Sequence, residues 1–270
     1  MVKNKPRVGY NNEKGGIIQD LLRPGILAGV ASMHTGLEPR NLPLNVAIDV
    51  IRESGSVALF YHVVSLRGQK YFEAFESPGL TFSEVLNSLP KRKRYIAMAN
   101  TSLVKNADEA IEHVEISCDT FNALNYTGQP SPIIKLEISS PNRTPIDNEI
   151  VIALKEILRR RPGLPIIPLI NPEISIMNEC IKLGVPALRI LTGKIRSMKG
   201  VETPSTVKVL GEESKIPLIF EGGIGTPQHV KMAFNCGASA VLVNTAFHVS
   251  DNPVALANDL RLTIDSLRYN

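Results

Sequence analysis

The chain has 270 residues, of which 43% are hydrophobic, 21% charged and 5% aromatic, with no Trp. Thirty Lys and Arg against twenty-six Asp and Glu leave a net charge of +4, too mild for a nucleic-acid surface but suited to a small anionic substrate. No run approaches the ~20 consecutive apolar residues that span a bilayer, and no apolar signal core follows the basic start at residues 1–7, so a cytoplasmic location is expected.

Residues 1–16 read as a flexible N-terminal arm and 17–270 as a single domain, with no internal repeat or low-complexity linker. From residue 26 onward, short apolar runs alternate with segments of helical period. Strands are predicted at 26–28, 57–61, 95–99, 133–138, 166–170, 187–191, 218–220 and 240–243. Helices are predicted at 43–54, 81–88, 107–122, 147–160, 173–183, 204–211, 227–236 and 253–268. Thr203-Pro204, Thr226-Pro227 and Asn252-Pro253 place a capping residue before a proline that opens a helix. Thr81-Phe82-Ser83-Glu84 reads as a capping box, and Gly184, Gly211 and Gly237 fall at expected helix ends. Residues 63–80 look like an insertion with strand character, and residues 91–94 like a solvated basic turn. Eight strands each followed by a helix, at a length near ~250 residues, predict an α/β fold of the (β/α)8 TIM-barrel type. A doubly wound open sheet is the competitor, and the count of eight favours the barrel.

In a barrel, chemistry gathers at the carboxyl ends of the strands. The fourth predicted strand contains Lys135 and Glu137 among Ile134, Leu136 and Ile138. Alternation puts the three apolar residues on the helix side and turns Lys135 and Glu137 inward. Desolvation there would favour a neutral amine able to attack a carbonyl; the plain alternative is a buried structural ion pair. The seventh strand ends at Glu221, followed by Gly222, Gly223, Ile224, Gly225 and Thr226. This turn lets backbone amides approach a phosphate at the start of a helix. Asn244 and Thr245 form a second polar turn after the eighth strand, and loops after strands seven and eight are the usual phosphate site of the fold. Glycines also simply make tight turns. The loop after strand six, with Gly193, Lys194, Arg196 and Lys199, adds cations suited to an anion.

The five histidines, His34, His62, His113, His229 and His248, have no metal-ligand spacing, and His62 is a candidate for the pocket rim. Cys118, Cys180 and Cys236 form no Cys-x-x-Cys pair and read as buried, reduced thiols.

Together these motifs resemble the thiazole synthase family, (β/α)8-barrel enzymes that build the thiazole phosphate half of thiamine. The similarity runs best from residue 95 to 268. It is carried by Asn100-Thr101-Ser102 followed by Ala107-Asp108-Glu109-Ala110, by Lys135-Leu136-Glu137, by Gly200-Val201-Glu202-Thr203, by Gly223-Ile224-Gly225 and by Asn244-Thr245-Ala246. The resemblance implies a Schiff-base-forming, sulfur-incorporating transferase without a cofactor, in which Lys135 forms an imine with 1-deoxy-D-xylulose 5-phosphate. Glu137 and Glu221 would then move protons. Gly193, Lys194, Arg196, Gly222, Gly223, Gly225, Asn244 and Thr245 would bind the phosphate. The implied partner is a small sulfur-carrier protein ending in a Gly-Gly thiocarboxylate, and the implied assembly is a homo-oligomer.

The sequence also departs from the family. Glu221 stands where relatives usually have Asp. Thr192-Gly193-Lys194-Ile195-Arg196-Ser197 replaces a Gly-x-Pro-Ile-Gly-Ser loop. Ala28-Gly29-Val30-Ala31 lacks the usual Gly-Thr-Gly-Lys, and His62-Val63 replaces a basic pair. Two alternatives follow: the same imine and sulfur chemistry on another sugar phosphate, or a catalytically silent paralogue that binds a sulfur carrier.

Overall fold

A computed structural model describes residues 13–29, 42–62, 64–66, 69–71, 82–90, 94–101, 104–123 and 128–268. The first half holds α1 (Glu13–Leu22), β1 (Ile26–Ala28), α2 (Leu44–Ser54), β2 (Ala58–His62), a short antiparallel hairpin of β3 (Val64–Leu66) and β4 (Gln69–Tyr71), and α3 (Phe82–Ser88). There follow β5 (Ile96–Asn100), α4 (Ala107–Ala123), β6 (Ile133–Leu136), α5 (Asp147–Arg160), β7 (Ile166–Ile170) and α6 (Ile174–Lys182). The chain then runs through β8 (Leu188–Leu191), α7 (Pro204–Glu213), β9 (Leu218–Glu221), α8 (Pro227–Asn235), β10 (Ala240–Val243), α9 (Thr245–Val249) and α10 (Pro253–Arg268).

Eight parallel strands are hydrogen-bonded in the order β1-β10-β9-β8-β7-β6-β5-β2. A doubly wound sheet would reverse direction at a switch point. Here each successive strand is added on the same side, and the last pairs with the first, Ile26 opposite Val241 and Ala28 opposite Val243. This is the (β/α)8 barrel. At the seam between β1 and β2 a side chain spans the gap. The Ser56 hydroxyl accepts from the Ala28 amide at 3.1 Å and from the Ala58 amide at 3.3 Å.

Strand alternation divides the core in two. Outward residues such as Leu59, Ala97, Ile134, Leu136, Ile190, Phe220 and Val241 pack under the helices. Inward residues such as Leu27, Met98, Ile133, Ile167, Ala187, Ile219 and Ala240 fill the barrel together with Ile18, Leu21 and Leu22 of α1. Helix α1 therefore plugs the barrel at the end where the strands begin and leaves the carboxyl end for chemistry. It starts at Glu13, so residues 13–16 of the expected arm are helical, while 1–12 lie outside the described residues.

Helix termini follow their sequence signals unevenly. Thr226 accepts from the His229 amide at 3.2 Å and Asn252 accepts from the Ala255 amide at 3.0 Å, but Thr203 makes no side-chain cap. Thr81, and with it the expected capping box, lies outside the described residues, as do residues 91–93 of the basic turn. Gly184 and Gly237 follow their helices in the left-handed region at φ 84° and 97°. Gly211 corrects the expectation, because it lies inside α7. A β-carbon there would stand 2.1 Å from the Cys236 carbonyl oxygen, so close approach of the α8 terminus, not helix ending, requires glycine. The expected polar turn after β10 is likewise the start of a helix, with Asn244 as the N-cap residue of α9.

Candidate active site

Four charged side chains converge in the upper barrel interior. Lys135 from β6, Glu137 just beyond it, Arg189 from β8 and Glu221 at the end of β9 are respectively 7%, 5%, 0% and 5% exposed. Alternation along each strand is the cause, since Leu136, Ile190 and Phe220 take the outward positions between them. Lys135 Nζ donates to Glu137 Oε2 at 3.3 Å. Arg189 Nη2 lies 3.8 Å from the same oxygen and donates to the Leu136 carbonyl at 3.1 Å, while its Nε lies 3.5 Å from Glu221 Oε2. The guanidinium thus sits between the two carboxylates.

Each glutamate is pinned through its backbone by a threonine. Thr101, following β5, accepts from the Glu137 amide at 2.9 Å. Thr192, following β8, donates its hydroxyl to the Glu221 carbonyl at 3.0 Å, and its amide reaches the same oxygen at 2.8 Å. These contacts fix where each carboxylate leaves its strand.

Burial, and then the Arg189 charge, lower the pKa of Lys135 below its ordinary value, against the opposing pull of Glu221 and Glu137. Burial would raise Glu137, but the nearby Lys135, Arg189 and Arg143 charges outweigh it and hold the carboxyl below its usual range. The site can therefore present a weakly basic amine beside an ionised carboxylate, the pairing that carbonyl addition needs.

The glycine-rich turn is built against the loop after β8. Gly222 and Gly223 have φ of 86° and 78°. A β-carbon on Gly223 would lie 2.6 Å from the Gly200 carbonyl oxygen, and one on Gly193 2.5 Å from that same oxygen. Gly200 in turn donates its amide to Gly223 at 2.9 Å, and its own β-carbon position is filled by the His229 ring. Backbone packing thus accounts for these glycines. The Met198 side chain lies on Gly225, beside Ala246, and so joins the turns after β9 and β10. Asn244 is held between Gly29 and His248, whose Nε2 is 3.0 Å from Asn244 Oδ1. In the β8 loop, Lys194 and Lys199 are exposed and Arg196 is half-buried with φ 72°. The fold therefore brings Lys135, Glu137 and Glu221 together, and separately brings the loops bearing Gly193, Gly222, Gly223 and Gly225 together.

His62 ends β2 and His113 lies on α4, while His34, Val30, Ala31 and Ser102 fall outside the described residues. Among the described residues no group of three His, Cys, Asp or Glu could hold a metal, and no helix is long and apolar enough to cross a membrane. Sequence reasoning misses Arg189, although it occupies an inward slot between Leu188 and Ile190 just as Lys135 does between Ile134 and Leu136. Arg143, at φ 61° in the loop after β6, is a second cation that sequence reasoning misses, and it acts on Glu137.

The family described as thiazole biosynthesis protein ThiG matches residues 63–269. The thiazole synthase of Alkaliphilus metalliredigens is 33% identical over 67% of this chain and 66% of its own length. That of Klebsiella pneumoniae is 30% identical over 82% of this chain and 79% of its own. The chain thus spans about two thirds or more of these relatives. Among solved structures, the Amycolatopsis orientalis BexX/CysO complex superposes with a TM-score of 0.72, covering 90% of this chain and 88% of the neighbour at 24% identity, a likeness of fold.

Proposed function

The chain belongs to the thiazole biosynthesis protein ThiG family, and from that premise we propose that it is a synthase in which Lys135 forms an imine with 1-deoxy-D-xylulose 5-phosphate and sulfur is incorporated into the bound sugar. The observation that carries this reading is a buried amine, lowered in basicity, within hydrogen-bond reach of Glu137 and beside Arg189 and Glu221. The Lys135 amine attacks the ketone carbon and Glu137 exchanges the protons that this addition and the loss of water require. Glu221 takes a proton from the sugar carbon next to the imine. The turns 222–226 and 244–245, with Gly193, Lys194 and Arg196 nearby, hold the phosphate at the barrel mouth. A family without need of a further cofactor draws sulfur from a small carrier with a C-terminal Gly-Gly thiocarboxylate. That the BexX neighbour was solved in complex with a second protein, CysO, supports a protein partner. A homo-oligomer in the cytoplasm completes the reading.

A second reading, the same chemistry on another sugar phosphate, is favoured by Glu221 and by the loop 192–197, which both depart from the family pattern close to the substrate. Both readings are tested by the intact mass after borohydride reduction with 1-deoxy-D-xylulose 5-phosphate and with a panel of other ketose and aldose phosphates. The first expects a stable adduct with 1-deoxy-D-xylulose 5-phosphate that maps to Lys135 and disappears in Lys135→Ala. An adduct confined to a different sugar selects the second reading, and one mapping to Lys194 or Lys199 overturns both.

A further inference from the structure

The proposed chemistry uses Lys135, Glu137 and Glu221, and leaves a fully buried arginine in their midst unexplained. Arg189 Nε and Nη1 make no hydrogen bond, and neither does Glu221 Oε2, although the two residues face each other at 3.5 Å. A guanidinium does not lose its proton in a protein, and burying a charge is costly unless it is compensated. Structural filling of this strand position would be met by an apolar side chain of similar length. The charge itself therefore calls for an explanation.

We propose that Arg189 is a positioning residue for the reacting amine: its permanent charge, set between Glu137 and Glu221, keeps both carboxylates in place and disfavours a proton on Lys135 Nζ, so that the ammonium gives up that proton to become the attacking amine. In the resting state one ammonium and one guanidinium face two carboxylates. When the ammonium is deprotonated the Nζ–H bond breaks, the proton passes by way of Glu137 Oε2 across the 3.3 Å contact to water, Glu137 returns to its ionised form, and the nitrogen keeps its lone pair for attack. No oxidant or reductant is involved. With an apolar residue at position 189 the pull of Glu221 and Glu137 on Lys135 would go unopposed and hold the proton on nitrogen. The charged groups facing Lys135 are Glu137 beyond its own strand, Arg189 from β8 and Glu221 from β9, while Arg143 reaches Glu137 from the loop after β6. Arg189 is the cation in this set that opposes a proton on Lys135, and it lies between the two carboxylates, sealed from solvent.

The inference rests on Lys135 as the reacting amine, and its test separates the two. The Nζ resonance of Lys135 is titrated in 15N-lysine-labelled wild type, Arg189→Met and Arg189→Lys, with Lys135→Arg for assignment. Borohydride trapping with 1-deoxy-D-xylulose 5-phosphate is timed in the same proteins. Arg189→Met should move the Nζ midpoint upward and slow trapping about tenfold at neutral pH, with recovery in more alkaline buffer. Arg189→Lys should fall between it and the wild type. A midpoint that stays or falls in a folded Arg189→Met protein overturns the inference. If Arg189→Met fails to fold, Arg189→Lys decides: trapping retained with a midpoint near that of wild type supports it, and trapping lost at every pH overturns it. Should wild type trap no 1-deoxy-D-xylulose 5-phosphate while the midpoint still rises in Arg189→Met, that sugar fails as the substrate and the effect of Arg189 on the Lys135 amine stands.

Discussion

A β-carbon on Gly222 would stand 2.1 Å from the carbonyl oxygen of Gly193, and Gly222 already holds φ 86°. Two constraints therefore meet at one residue, a backbone contact that cannot yield and a conformation that L residues rarely adopt. Gly225 is different. Its β-carbon would meet Met198 Cε at 2.2 Å, the far end of a flexible side chain that can swing aside. Gly222→Ala should lose roughly 3 kcal/mol or more in urea unfolding, and Gly225→Ala about 1 kcal/mol. Equal losses would mean that the contact between the β8 loop and the β9 turn is not what demands glycine.

Thr192 tests whether the carboxylate geometry is held from the backbone. Thr192→Val keeps the shape and removes the hydroxyl that donates to Glu221 at 3.0 Å. The expected cost is about 1 kcal/mol of stability, with a larger effect on turnover, because a carboxylate displaced by a fraction of an ångström loses alignment with its proton. Trapping at Lys135 should continue while the later steps slow. A variant with wild-type turnover would show that Glu221 needs no such clamp.

The alternation rule makes Lys135, Glu137 and Glu221 legible from the amino-acid order alone, because each is a charge in an otherwise apolar strand. The same rule applies to Arg189 between Leu188 and Ile190, but a single long basic side chain there carries no motif and has no charged neighbour two positions away on its strand. The basicity of Lys135 is undecided in sequence for the same reason: Glu137 pulls one way and burial the other, and the balance depends on a residue 54 positions along the chain from Lys135. The glycines are legible as a turn but not in their cause. The reasons for Gly222 and Gly211 are carbonyls of Gly193 and Cys236, and such tertiary contacts leave no local pattern. Helix α9 looks like a turn in sequence because its five residues are too few to show a helical period.

The cysteines offer an independent check of the helical layer. Burial pushes the Cys118 thiol up to about 11 and Cys180 to about 12, and it raises Cys236 as well. A neutral, enclosed thiol is a poor nucleophile. In mildly alkaline buffer Cys118 and Cys180 should resist a disulfide reagent for as long as the protein stays folded, and all three should react on denaturation. Fast native labelling of Cys118 or Cys180 would contradict the packing of α4 or α6.

The buried charges should also write themselves into the pH dependence of stability. Glu137 is held below its ordinary 4.5 despite its burial, by Lys135, Arg189 and Arg143. A depressed carboxyl binds a proton less tightly folded than unfolded, so its contribution is complete above 4.5 and is lost as pH falls through its lower folded value. Lys135 works in the other direction. Its pKa is lowered from 10.5, so the unfolded chain binds that proton more tightly, and stability from this group grows as pH rises from the folded value toward 10.5. Melting temperatures across the acid and alkaline ranges should therefore show a steep acid limb in wild type and a shallower one in Glu137→Gln. The variant's unfolding free energy at neutral pH, from urea denaturation, should be lower by about 3 kcal/mol, since cations that shared one carboxylate lose it. Lys135→Met should keep the acid limb contributed by other carboxylates and lose the alkaline rise. An acid limb unchanged in Glu137→Gln would remove Glu137 from the charged cluster and, with it, the nearest acceptor for the Lys135 proton.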